Sequence, residues 1–260
     1  MAGCFYWTGF DYHGEPTPFK WPSVSSFFGI MDLCGFPKMA YYLHQAQWRD
    51  DMHVLKLIPH WNWPTDSIGK NIKVMALSNA DKVRLLLNDR LISEQNVDHY
   101  EMNTWNIPYE PGKLEAVGFK DGKIVSRTIV ETTGEAKSIR LVPFRSSIKG
   151  NGCDAIPITV EVLDSEGRHV PTANNKIRFS VTGPADIIGL GNGNPNCHEP
   201  EKGNKRSLFN GLAQIIIKST DSVMGEISVL AESEGLKSDT LIIPVTSSEK
   251  IPSVDIVKAW

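Results

Sequence analysis

The sequence predicts a mainly β protein: two immunoglobulin-like β-sandwiches in series, preceded by one strand–loop–helix unit. Two patterns and one length carry this prediction. Apolar runs of strand length recur from residue 54 to residue 245, separated by turn signals. Six of the seven tryptophans lie in the first 105 residues, while the rest is rich in Val, Ile, Thr, Ser and Gly. A chain of 260 residues also exceeds one average domain of about 150.

Residues 1–50 open with an apolar stretch, Cys4-Phe5-Tyr6-Trp7-Thr8-Gly9-Phe10, expected to be a strand. A loop rich in Gly and Pro follows at Gly14-Glu15-Pro16-Thr17-Pro18, with Trp21-Pro22 shortly after. Pro37, suited to a first helical turn, precedes a helix expected from Ala40 to Trp48. Tyr41, Leu43, Ala46 and Trp48 give that helix no clean apolar stripe.

Residues 51–134 supply the first sandwich. Its strands are expected at Val54–Ile58, Ile72–Leu77, Val83–Leu87, Leu91-Ile92, Leu114–Phe119 and Ile124-Val125. Asn88-Asp89 and Asp121-Gly122 are the turns, the second a strong hairpin signal. Residues 135–247 supply the second sandwich, with strands at Ile139–Val142, Ile158–Leu163, Ile177–Val181, Ile187-Ile188, Ala213–Ile217, Ile227–Leu230 and Leu241–Val245. Asp164-Ser165-Glu166-Gly167 turns one hairpin, and Gly211 interrupts before another strand. Residues 248–260 read as a tail in which Ile251, Val254, Ile256 and Trp260 could form an edge strand.

Charge excludes one class of function. With 27 Lys+Arg against 30 Asp+Glu, the net charge of -3 lacks the basic footprint of a nucleic-acid binder. No apolar run reaches 18 residues, so no membrane span is expected. Four widely spaced cysteines, Cys4, Cys34, Cys153 and Cys197, contain no CxxC pair and read as isolated thiols.

Chemistry concentrates near the chain start. Asp11 and Glu15 flank a turn beside Trp7, Phe10, Tyr12, Phe19 and Trp21. Two carboxylates at about 5–9 Å can act as acid and base on a glycosidic bond. Aromatic faces beside them suit the C–H faces of sugars. The competing readings make both carboxylates ordinary loop hydrogen-bonding groups and the aromatics a core. Elsewhere Gly189-Leu190-Gly191-Asn192-Gly193-Asn194 outwardly resembles a phosphate loop, but Pro195 follows where a helix is required. Cys197-His198-Glu199 has no second cluster at ligand spacing, so no transition-metal site is expected there, while Asn, Asp and backbone carbonyls of this loop could hold calcium; no cofactor is expected. Lys202, Lys205 and Arg206 read as a solvated basic face.

The stretches Phe5–Tyr12, Gly14–Pro18, Trp21–Asp32 and Gly35–Lys38 resemble the end of the catalytic barrel in family 2 glycoside hydrolases, in particular multidomain β-galactosidases of Bacteroides type. Pro59-His60-Trp61-Asn62-Trp63, with Ser78–Asp81 and Val83–Asn88, resembles the sandwich that follows that barrel. Gly189–Gly211 resembles the family's C-terminal sandwich. The resemblance implies that residues 1–50 are the last βα unit of a (β/α)8 barrel. It also implies a retaining mechanism with two glutamates, on barrel strands upstream of Met1. Trp7 matches a tryptophan of the sugar pocket, and Asp11, Glu15 and Trp21 would line the same mouth.

Two consequences are expected. A barrel of about 250 residues is not closed by one strand, and retaining hydrolysis requires two carboxylates roughly 5 Å apart. The chain alone should therefore not cleave its galactoside-type glycan, although the longer enzyme, periplasmic or secreted by the resemblance, would. The apolar face of residues 1–50 should pack on the neighbouring sandwich, pair with another copy or stay mobile. The alternative function is a freestanding carbohydrate-binding or adhesive β-sandwich module.

Overall fold

A computed structural model describes residues 3, 5–220 and 224–248. They fall into two compact units, Met1–Gly134 with Asn194–Cys197, and Glu135–Gly193 with His198–Trp260. The edge strand considered over 251–260 lies outside the described residues.

In the first unit, helix α1 (Met39–Trp48) is followed by β1 (Leu55–Ile58), β2 (Asn71–Ser78), β3 (Lys82–Leu87), β4 (Arg90–Asn96), β5 (Asn103–Pro108), β6 (Lys113–Lys120) and β7 (Lys123–Glu131). Their antiparallel ladders make a three-stranded sheet, β1-β2-β5, and a four-stranded sheet, β4-β3-β6-β7. Burial alternates along β3, sending Val83, Leu85 and Leu87 inward to meet Leu57, Val74, Ala76 and Ile107 of the other sheet. Each buried Val, Leu or Ile among them contributes about 1.5–3 kcal/mol of transfer free energy. The β6–β7 hairpin turns on Asp121 and Gly122, at φ +49° and +73°, the primed turn that its sequence demands.

In the second unit, β8 (Ser138–Pro143), β9 (Ile148–Lys149), β10 (Ala155–Leu163), β11 (Lys176–Thr182), β12 (Ala185–Gly191), β13 (Lys205–Ser207), β14 (Leu212–Ser219), β15 (Gly225–Glu232) and β16 (Asp239–Thr246) form two sheets. Their orders are β12-β14-β10-β8 and β13-β11-β15-β16-β9. Across the β10–β14 ladder, Ile156 faces Ile217, Ile158 faces Ile215 and Val160 faces Ala213, all fully buried. Ile177, Phe179, Ile227, Val229 and Ile243 close the core from the other sheet. At the β10–β11 connection, Asp164 accepts the Glu166 and Arg168 amides, at 2.9 and 3.0 Å, and pairs with the Arg168 guanidinium.

The structure departs from the sequence reading in four places. Residues 5–10 form no strand: a strand requires a continuous ladder, and here a single parallel bridge joins Phe10 to Met31. Pro37 stands outside the helix, bridged to Met31, with Lys38 as the N-cap. Three strands, β5, β9 and β13, were not expected. Arg206 is buried rather than solvated, its guanidinium donating to the Leu190 carbonyl at 2.6 Å.

Candidate functional site

Backbone hydrogen bonds make a scaffold of residues 8–31. The Ile30 and Met31 amides donate to Thr8 and Gly9 carbonyls (3.1 and 3.0 Å), and the Asp11 amide donates to Met31 (2.9 Å). Further along, the chain doubles back: Ser26 N donates to Tyr12 O at 2.8 Å and Gly14 N to Val24 O at 2.9 Å. Within the same unit, the Val24 amide donates to the Pro195 carbonyl at 2.9 Å and the Ser23 hydroxyl to Asn196 Oδ1 at 2.7 Å. This scaffold holds the loop that carries Glu15 and Trp21.

Asp11 turns inward. Its carboxylate is buried and accepts the Gly29 amide at 2.8 Å and both contacts of the Lys38 ammonium, at 3.1 and 2.9 Å. Lys38 also donates to the Phe27 carbonyl at 2.8 Å. The fit tolerates no side chain at residue 29, because a Cβ there would lie 2.2 Å from the Asp11 amide nitrogen. Nearby, burial pushes the Asp32 carboxyl pKa up, against the amides of Phe36 and Cys34 that hydrogen-bond it.

Trp7 and Glu15 turn outward and are joined through Tyr12. The Trp7 indole donates to the Tyr12 hydroxyl at 3.2 Å, and that hydroxyl donates to Glu15 Oε2. Because its proton is held by Glu15, the Tyr12 phenol is shifted up from its ordinary pKa, with the Trp7 donor acting in the opposite direction. Trp7 and Trp21 are 73% and 78% exposed. The structure thus links two of the four candidate residues, keeps Trp21 exposed on the adjacent turn, and assigns Asp11 to an internal ion pair.

Tyr12, noted in the sequence only as one of the aromatics, proves to be the link, and Lys38 is the member that position-by-position reading missed. An aromatic three residues before Glu15 was a visible signal; the Lys38 contact spans 27 residues and had none. Chemically, the outward group offers an apolar ring and a hydrogen-bonded carboxylate, a combination that stacks on a sugar ring and binds its hydroxyls. Asp11, with both oxygens on Lys38, is not free to act as the second of two facing carboxylates.

In the second unit, Glu199 accepts the Ser207 amide and hydroxyl, both at 2.8 Å, and pairs with Lys176 at 3.3 Å. These contacts outweigh burial and lower its pKa. With the Arg206 clamp on Leu190, they fix the glycine-rich loop as structure. Among the described residues no group of three or more His, Cys, Asp or Glu side chains converges as a metal site, and no helix is long and apolar enough to cross a membrane.

Residues 139–242 match the glycoside hydrolase family 2 C-terminal domain 5, and residues 69–126 match a domain of unknown function, DUF4982. Over 94% of its length the chain is 41% identical to the β-galactosidase BoGH2A of Bacteroides ovatus, of which it spans 28%. It is 33% identical over 84% of its length to a putative β-glucuronidase of Formosa agariphila, of which it spans 22%. The crystal structure of a β-glycosidase from Bacteroides vulgatus superposes with a TM-score of 0.86 at 33% identity, covering 93% of this chain and 30% of that one. The chain is therefore less than a third as long as these relatives, yet similar to them along nearly its whole length. On its C-terminal domain and this extended similarity, it belongs to glycoside hydrolase family 2.

Proposed function

We propose that the chain is the C-terminal portion of a retaining β-galactosidase-like enzyme that cleaves O-glycosidic bonds, and that this portion alone is not catalytic. The observation that carries the reading is the 41% identity to a β-galactosidase over 94% of the chain. In this reading residues 1–50 are the last strand–helix unit of the catalytic barrel, residues 51–134 and 135–247 are two supporting sandwiches, and the two catalytic glutamates belong to a part of the enzyme outside these residues. Trp7 stacks on the sugar, Glu15 and Trp21 line the mouth, and Asp11 holds the mouth in shape from below through Lys38. The engagement of Asp11 with Lys38 supports the absence of a nucleophile–acid pair in this segment.

An assay of the purified chain with an aryl β-galactoside tests the reading. The expected rate equals that of a protein-free control. Turnover above that background, abolished by Glu15→Gln, would overturn the assignment of both glutamates elsewhere.

A further inference from the structure

A concave surface lies in the first unit, beside the end of α1. It encloses about 680 Å3 and is walled by Trp48, Asp50, His53, His99, Tyr100 and Lys120, among others. That volume falls inside the range of about 300–1,000 Å3 usual for small-ligand sites.

Hydrogen bonds fix its frame. The Asn79 amide group donates to the Arg49 and Met52 carbonyls, at 3.0 and 2.8 Å, and its oxygen accepts the Val54 amide at 2.8 Å. Gln47 ties the opposite wall through the His99 carbonyl at 3.4 Å. Arg49 is committed to Asp51 by two bonds of 2.6 and 2.7 Å. Trp48 lies flat on His44, with ring centroids 4.5 Å apart and planes at 19°. One indole face is thereby covered and oriented, while the side chain remains 64% exposed. Tyr100, on the other wall, is 90% exposed.

The lining selects a ligand class. His53 and His99 belong to no convergent group of metal-binding side chains among the described residues. Polar groups outnumber apolar ones around the cleft, which disfavours a purely apolar guest. An oriented aromatic face bordered by a carboxylate, an ammonium and imidazoles fits a pyranose ring, apolar on its C–H face and hydroxylated at its rim. We infer that this cleft is an accessory binding site for one pyranose unit of an oligosaccharide, stacked on Trp48 and hydrogen-bonded by Asp50 and Lys120. The inference stands on the cleft alone and does not depend on the roles given to Trp7, Glu15 and Trp21.

Titration of the 260-residue chain with β-1,4-galactotetraose, followed through the indole N–H resonances, tests it. Saturable binding that shifts the Trp48 signal is expected. W48A should weaken it about tenfold, the scale of one lost aromatic contact. W48F should retain most of the affinity, and Y100A, altering an exposed side chain, should reduce it without disturbing the fold. Absence of a saturable shift, a shift confined to the Trp7 and Trp21 resonances, or native-like affinity in W48A would each overturn the inference; the second would point to the mouth described above.

Discussion

The Lys38 ammonium spans both oxygens of Asp11, at 3.1 and 2.9 Å, across 27 residues of sequence. Asp11 is 7% exposed and Lys38 sits at the foot of α1, so the pair joins the start of the segment to that helix. Removing one partner of a buried pair leaves the other uncompensated, a cost of about 3–5 kcal/mol in a fully buried setting. Partial exposure of Lys38, at 32%, reduces that to about 2–3 kcal/mol for Asp11→Ala. Hydrogen exchange at the Gly29 amide, which donates to Asp11, should accelerate by roughly 30-fold or more. An unchanged rate would show that the ion pair does not hold the segment together.

His60 makes the first sandwich sensitive to acid. Burial lowers its pKa, and its Nδ1 accepts the Asn62 amide at 3.1 Å, which requires the neutral ring. A depressed folded-state pKa means that the folded protein binds fewer protons than the unfolded chain. The stabilising contribution is thus present above the ordinary histidine value of about 6.5 and lost as pH falls through the lower folded value. The urea midpoint, followed at the Trp61 indole resonance, should drop over that window. His60→Asn, which retains an acceptor but does not titrate, should flatten the profile; an equally steep profile in the variant would assign the titration to another group.

Trp61 is fully buried and held at three points. Its indole donates to the Glu110 carbonyl at 2.9 Å, its ring meets Tyr109 edge-on at 5.2 Å, and its own carbonyl accepts the Thr132 hydroxyl at 2.7 Å. Trp61→Ala should destabilise the first sandwich by about 3–5 kcal/mol through the cavity alone. Trp61→Phe should cost less, since only part of the ring and one hydrogen bond are lost. Denaturant unfolding that ranked the two variants in the opposite order would refute this account of the packing.

These residues show how far the sequence was legible. Strand alternation exposed β10 and β14 because both faces obey one period, and Asp121-Gly122 announced its turn because few other dipeptides accept two positive φ values. β5 escaped because Asn103, Thr104 and Asn106 dilute its pattern to Trp105 and Ile107, leaving its pairing with β2 to tertiary contact. β9 and β13, two and three residues long, are too short to carry a period. At the site, Trp7, Glu15 and Trp21 were legible as aromatic and acidic residues around a loop. The inward turn of Asp11 was not, because its cause, Lys38, is remote in sequence. Arg206 misled for the same reason: its acceptors are backbone carbonyls, which leave no trace in side-chain composition.

The expectation that residues 1–50 pack their apolar face away is not met at the chain start. Phe5 is fully exposed, and Trp7, Trp21 and Phe19 are 73%, 78% and 52% exposed. Clusters of large exposed apolar side chains on this scale favour association, since burying each ring against another copy contributes on the order of 1.5–3 kcal/mol. Light scattering on the purified chain should therefore give a mass that rises with concentration, starting from the 28.9 kDa monomer. Phe5→Ser combined with Trp21→Ser should restore the monomer mass, because neither side chain belongs to a folded core. If the native chain stays monomeric at every soluble concentration, the open aromatic face does not serve self-association.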